Sequence, residues 1–260
     1  REVWNDFHEA SVSNLFGNPD YASPDREELL QQLEIPKRTG DYFADRTRGF
    51  IVPTESKAYI FSIVGDDDTQ FWLSTDEHRY NMRQIVEVPT WSGSNFWNKF
   101  SAQQSGPILL EAGVRYYFEV LHREQNGGDH FRVAWNGVGE PREIIASAHL
   151  LSWVPDPSDL DDDGLLDSWE LANGFDASED GTSNPQEGAY GDADLDGLPN
   201  AAEFQAGTDP RLPDTDSDGI IDGIERSYFN TSPAEFTTLT DYAQSADWQT
   251  MNIGTPLSPV

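Results

Sequence analysis

The sequence contains no cysteine. Disulfides, thiolate metal sites and cysteine nucleophiles are therefore excluded, and the redox compartment leaves no trace. Basic residues are scarce: 16 Lys and Arg stand against 47 Asp and Glu, a net charge of −31. That balance argues against nucleic acid and anionic membranes as partners. Long apolar runs are missing too, so no segment reads as inserted in a membrane. The five histidines show no ligand spacing, which disfavours zinc. The chain opens on Arg1 without a signal-like stretch, and reads as a segment joined to other domains of a longer protein. Nucleophile motifs, phosphate loops and acid pairs set in apolar surroundings are not found, so the segment is expected not to be an enzyme, any catalytic domain lying elsewhere in the parent.

What the chain has in abundance is acid, and it is patterned. Asp-x-Asp-x-Asp-Gly-x-x-[Asp/Asn]-x-x-Glu occurs three times, starting at Asp159, Asp192 and Asp214. Ca²⁺ takes six to eight oxygens in an irregular shell. Positions 1, 3 and 5 supply carboxylates: Asp159, Asp161 and Asp163; Asp192, Asp194 and Asp196; Asp214, Asp216 and Asp218. Position 7 offers a carbonyl (Leu165, Leu198, Ile220), and position 9 works through water (Asp167, Asn200, Asp222). Position 12 closes the shell with Glu170, Glu203 or Glu225, and glycine at position 6 permits the turn. About three Ca²⁺ ions are expected here. A solvated acidic linker is the alternative, but it does not keep glycine and glutamate in register three times. Without metal the crowded carboxylates repel, so binding is coupled to folding.

Residues 155–230 hold 21 acids and 2 bases, whereas residues 1–154 hold 23 acids and 14 bases. With Pro155-Asp156-Pro157 at the shift, the reading is a first domain 1–154, calcium repeats over 155–233, and a polar tail or linker 234–260. Millimolar Ca²⁺ outside cells would neutralise much of this acid, which places the chain in a secreted or cell-surface setting.

In the first domain, Ser23-Pro24-Asp25 reads as a helix start, with a short helix through Leu33. Strands are expected at 49–52, 58–64, 69–74, 83–88, 107–110, 114–121 and 131–135, each β-branched or aromatic and bounded by turn residues. The fold class is mainly β, an antiparallel sandwich or barrel. Trp72 and Trp135 fall inside strands as core. Trp91, Phe96 and Trp97 crowd one Gly/Ser/Asn-rich loop, where the rings either stack on a sugar face or cap the core. Gly65-Asp66-Asp67-Asp68 and Asn126-Gly127-Gly128-Asp129 each join two strands and stand out, though taken alone each reads first as a plain turn.

Thr47-Arg-Gly-Phe50, Tyr59 to Asp67, Phe71-Trp-Leu-Ser74, Leu110 to Tyr117, Gly127-Gly-Asp129 and Val133-Ala-Trp135 together resemble the PA-14 (protective-antigen-type) β-sandwich module. That resemblance implies a carbohydrate-binding, lectin-like or adhesion module. In sugar-binding members an adjacent Asp-Asp pair joined by a cis peptide holds one Ca²⁺, whose shell vicinal sugar hydroxyls complete. Asp66 and Asp67 match that pair; Gly127, Gly128 and Asp129 match the second loop. The acidic segment, with its Gly207-Thr-Asp-Pro and Pro213 to Gly219 stretches, is similar to thrombospondin type 3 and EF-hand-like calcium repeats. Small helices are expected at 168–174 and 200–207, each ended by glycine. The functional reading is a calcium-dependent carbohydrate-binding module joined to a calcium-stabilised spacer, part of a larger adhesin or polysaccharide-degrading enzyme. The alternative is a structural or protein-interaction segment without a glycan ligand.

Overall fold

The structure is a computed structural model, and it describes residues 1–17, 23–35, 40–181 and 183–225. The expected tail at 234–260 and the end of the repeat segment lie outside the described residues. The chain divides into two compact units, Arg1–Val154 and one beginning at Pro155.

The first unit is built from antiparallel strands: β1 Glu2–Asn5, β2 Arg26–Glu27, β3 Phe43–Ile51, β4 Lys57–Asp66, β5 Thr69–Leu73, β6 Arg83–Val88, β7 Ile108–Leu110, β8 Tyr116–Glu124, β9 His130–Gly137, β10 Glu143–Ile144 and β11 Leu150–Ser152. Among the described residues they form two sheets. One runs β2-β1-β3-β8-β5-β6, with β11 pairing the far half of β3; the other runs β10-β9-β4-β7. Alternation explains the packing. On β4, β8 and β9, every second residue (Tyr59, Phe61, Ile63; Tyr116, Phe118, Val120; Phe131, Val133, Trp135) enters one shared core. Full burial of such a side chain is worth roughly 1.5–3 kcal/mol. Trp135 stacks on Tyr59 with centroids 4.5 Å apart, as its place in a strand predicts. Trp72 is only partly buried and donates its Nε1–H to Gln70 Oε1 at 3.2 Å.

The helix expected after Ser23 does not form. Arg26–Glu27 pairs with β1, and Leu33 and Ile35 reach the core from extended backbone. Leu33 N–H donates to Ile145 O and Ile35 N–H to Phe131 O. Here the two-residue alternation of Leu33 and Ile35 overrides a local capping signal.

Among the described residues the second unit holds three helices, α1 Asp167–Ala172, α2 Asn200–Ala206 and α3 Asp222–Ile224. Gly174 (φ 72°) and Gly207 (φ 76°) end the first two in the left-handed region, where glycine carries no Cβ penalty. Trp169 packs against Phe175 and Phe204 at 5.7 and 5.4 Å. Arg211 lies 4.1 Å from the Phe175 ring centroid and donates to the Asn173 and Gly174 carbonyls past the end of α1.

Candidate functional site

In the first unit, β4 ends at Asp66, and its peptide bond to Asp67 is cis. The three adjacent aspartates take different roles. Asp68 is buried and accepts from Val12 N–H at 2.9 Å and the Ser11 hydroxyl at 3.1 Å, so it holds the preceding segment in place. Asp66 and Asp67 stay partly open. Asp67 N–H donates to Arg123 O at 3.1 Å, and Gln125 N–H donates to Asp67 Oδ2 at 3.0 Å. Beneath Asp66, His122 is fully buried. Its Nδ1 meets Asp45 Oδ2 at 2.9 Å and its Nε2 meets the Asp66 carbonyl at 2.8 Å. Both partners are acceptors, so the ring donates twice and is the imidazolium. Burial alone would lower its pKa, but Asp45 overcomes this and raises it. The side chain is thus structural, as its lack of ligand spacing suggested.

Facing the pair is the β8–β9 loop. Gly127 N–H donates to Asp41 Oδ1 at 3.2 Å, and the Gly128 backbone passes so close that a Cβ there would lie 3.2 Å from Asp66 Oδ2. Asp129 is fully buried and accepts from Gly40 N–H at 3.1 Å. Asp66, Asp67, Gly127, Gly128 and Asp129 therefore come together at one end of the sandwich. Burial first, then repulsion from Asp67, raises the Asp66 carboxyl to about 6. A multivalent cation would remove that penalty, so the donor set fits a hard metal.

The aromatic loop lies alongside. Trp91 bridges Asp66, Ser92 N–H donates to Gly65 O at 2.6 Å, and buried Gln103 donates to the Ile63 and Phe96 carbonyls. Trp91 is 52% and Phe96 66% exposed, so neither caps the core. One face of Trp91 carries Lys99, whose ammonium is 3.3 Å from the ring centroid and donates to Trp91 O at 2.7 Å. Trp97 is half-buried, with Arg142 4.9 Å over its ring.

In the second unit the three acidic loops repeat one conformation. Position 4 (Asp162, Leu195, Ser217) has φ between 62° and 66°, and position 6 (Gly164, Gly197, Gly219) between 96° and 100°. The position-6 N–H donates to the first aspartate at 2.9–3.0 Å in each copy. Position 9 accepts the position-2 N–H every time: Asp167 from Leu160, Asn200 from Ala193, Asp222 from Thr215. Each Asp triplet at positions 1, 3 and 5 presents oxygens within 4.8 Å of one another. The position-12 glutamates are fully buried, and both oxygens of Glu170 and Glu225 and one of Glu203 have no hydrogen-bond partner. Burial and neighbouring aspartates raise all three to about 8. Buried carboxylates without donors are costly, and a cation held by each triplet would satisfy them. The three triplets can thus hold metal ions. The loops also interlock: Ala189 N–H donates to Asp163 Oδ2 at 2.6 Å and Gly223 N–H to Asp196 Oδ2 at 2.7 Å, linking each of the first two loops to the segment that follows.

A family model described as "PA14 domain" matches residues 8–148. Among curated proteins, N-acetyl-beta-glucosaminyl-glycoprotein 4-beta-N-acetylgalactosaminyltransferase 1 of Mus musculus is 39% identical over 164 residues, covering 60% of this chain and 16% of the relative. Fibrocystin-L of Mus musculus is 30% identical over 131 residues, covering 47% of this chain and 3% of the relative. A solved structure, the PA14 sugar-binding domain from an RTX adhesin, is 14% identical with a TM-score of 0.45, covering 58% of this chain and 96% of that one. The expectation that the segment is not an enzyme is overturned by the first relative, a glycosyltransferase by name, whose likeness points to enzyme activity rather than none. The chain spans 16% of that protein, so a lack of catalytic motifs in these residues does not speak for the whole. No helix among the described residues is long and apolar enough to cross a membrane.

Proposed function

This chain belongs to the PA14 domain family, and on that premise we propose that its first unit is a calcium-dependent glycan-binding module of a larger extracellular protein that acts on glycans. The observation that carries this reading is the meeting of Asp66 and Asp67 with the Gly127-Gly128-Asp129 loop at one end of the sandwich, beside exposed Trp91. The carboxylates hold Ca²⁺, and its outward positions accept two vicinal hydroxyls of a sugar. Neutral hydroxyls replace water there at little electrostatic cost. Trp91 and Trp97 border the saccharide, with Lys99 occupying one face of Trp91.

The second reading within this proposal concerns residues 155–233. Buried Glu170 and Glu225, with no donor to either oxygen, and Glu203, with a donor to one oxygen alone, support a calcium-stabilised spacer of thrombospondin type 3 or EF-hand-like repeats. The helices beside the first two loops are six and seven residues long, shorter than paired EF-hand helices, which favours the repeat over the hand. Calcium fits the all-oxygen donor sets, and millimolar extracellular calcium fits the need to neutralise them. The parent's glycan chemistry is inferred from the glycosyltransferase relative.

A glycan array probed with the full chain, with and without chelator, tests the first reading. Binding is expected only with calcium, and Asp67→Ala should abolish it. Calcium-independent binding, or binding untouched by that substitution, would overturn it.

A further inference from the structure

Glu124 is the last residue of β8. Tyr116, Phe118 and Val120 on the same strand enter the core between the sheets. Two-residue alternation carries that inward face on through His122 to Glu124. The strand therefore ends with an acid pointed where its apolar residues point. Glu124 is fully buried, and neither carboxylate oxygen has a hydrogen-bond partner. Its neighbours place it against the cation loops. Arg123 O accepts the Asp67 N–H and Gln125 N–H donates to Asp67 Oδ2, so Glu124 is held between two residues that both grip Asp67. The acids acting on it are Asp67, Asp66 and Asp129, and His122 is the opposing charge.

An ionised carboxylate in such surroundings costs several kcal/mol unless something compensates it. His122 does not serve directly, because its two N–H groups are committed to Asp45 and to the Asp66 carbonyl. Arg1 is committed to Asp45 as well. A cation held by the Asp66, Asp67 and Asp129 loops would compensate that charge directly.

We propose that Glu124 is a further ligand of the cation bound by Asp66, Asp67 and the Gly127-Gly128-Asp129 loop, closing the inner side of its shell. The inference rests on the reading of those loops as a cation site. It assigns the inward oxygens to the protein and leaves the outward positions for the saccharide. It also makes this a site of four carboxylates, with higher affinity than Asp66, Asp67 and Asp129 alone would give, since ligand charge tunes calcium affinity.

Crystals of the full chain soaked in Tb³⁺, a calcium substitute with strong anomalous scattering, provide the test. The three acidic loops serve as internal standards. In the wild type a peak is expected at the sandwich site, with Glu124 carboxylate oxygen within about 2.3–2.6 Å of it. In Glu124→Gln, which keeps the shape, the peak should fall at least about fivefold relative to the loop peaks; in solution, competition titration should show a weakening of about tenfold or more at that site. Because the substitution removes a buried charge, the metal-free variant should melt higher than the metal-free wild type. A wild-type peak with Glu124 oxygens beyond 3.5 Å, or a peak that Asp67→Asn removes and Glu124→Gln leaves, would overturn the role of Glu124 and spare the cation site. Loop peaks with none at Asp66 and Asp67 would instead overturn the cation site itself.

Discussion

Gly65 sits one residue before the cis pair, and a Cβ there would lie on the Thr69 side chain, 2.6 Å from its Cβ. Gly65→Ala must therefore push Thr69 away from Asp67 O, to which its hydroxyl donates at 3.1 Å. A loss of about 1–3 kcal/mol is expected in urea unfolding of the first unit, with weakened calcium-dependent glycan binding. Glu119 offers a pH test away from the metal sites. It is fully buried, takes Arg79 Nε–H at 3.2 Å and the Tyr117 hydroxyl at 2.7 Å, and its pKa is lowered because the arginine charges outweigh burial. A depressed carboxyl contributes stability above its unfolded value near 4.5, and that stability is lost as pH falls through the folded value. Glu119→Gln should cost roughly 1–3 kcal/mol at pH 7. In saturating calcium, the gap between wild type and variant should then narrow as pH falls from 5 to 3 in thermal melts. At this scale the sequence was readable only where residues came in motifs. Asp66, Asp67 and Asp129 stood out in their loops. Glu124 did not, because Glu-Gln-Asn-Gly-Gly reads as a turn; only the strand parity from Phe118 and Val120 could have flagged it. Gln103, which pins the aromatic loop, carries no such signal: besides the local Phe100 N–H that it accepts, its partners are Ile63 O, Ser92 Oγ and Phe96 O, which the fold and not a sequence motif brings to it.

Among the elements, β4, β5, β6, β8 and β9 were legible because their apolar residues alternate, falling where Tyr59, Phe71, Val86, Phe118 and Phe131 mark them. Of nine-residue β3 only the end at 49–52 was expected, because Asp45, Arg46, Thr47 and Arg48 interrupt its apolar residues. β2, β10 and β11 were not, being two or three residues long, too short for any period to register. The false helix at 24–33 has the same root: a cap signal is local, whereas pairing with β1 and burial of Leu33 are not. In the second unit the elements to test are the loop-to-loop links. A Cβ at Gly223 would stand 2.5 Å from Asp196 O, so that close approach needs glycine. Gly223→Ala should part the second and third loops and weaken calcium binding at both, while the first loop, tied through Asp163 to Ala189, keeps its affinity. Calorimetric titration would show one unchanged class of site and two weakened. Uniform weakening, or none, would refute the linkage.

Over the whole molecule, charge divides more sharply than sequence length does. The 21 acids and single base of residues 155–225 gather where, among the described residues, apolar burial is thin, while the sandwich closes a continuous core. Two thermal transitions are expected in calcium. Chelator at low ionic strength should abolish the acidic unit's transition and its helical circular dichroism, and should only lower that of the sandwich. Each ion contributes about 4 kcal/mol when free calcium stands a thousandfold above its Kd. A single transition insensitive to chelator would refute the assignment of the acidic half to metal.

The links from Asp163 to Ala189 and from Asp196 to Gly223 have a mechanical meaning as well. A tether pulled from its ends transmits tension through whatever joins successive loops. Here the joints are carboxylates of the triplets proposed to grip calcium, so on that proposal the ion would set the force at which the tether yields: taut and stepwise when loaded, slack when stripped.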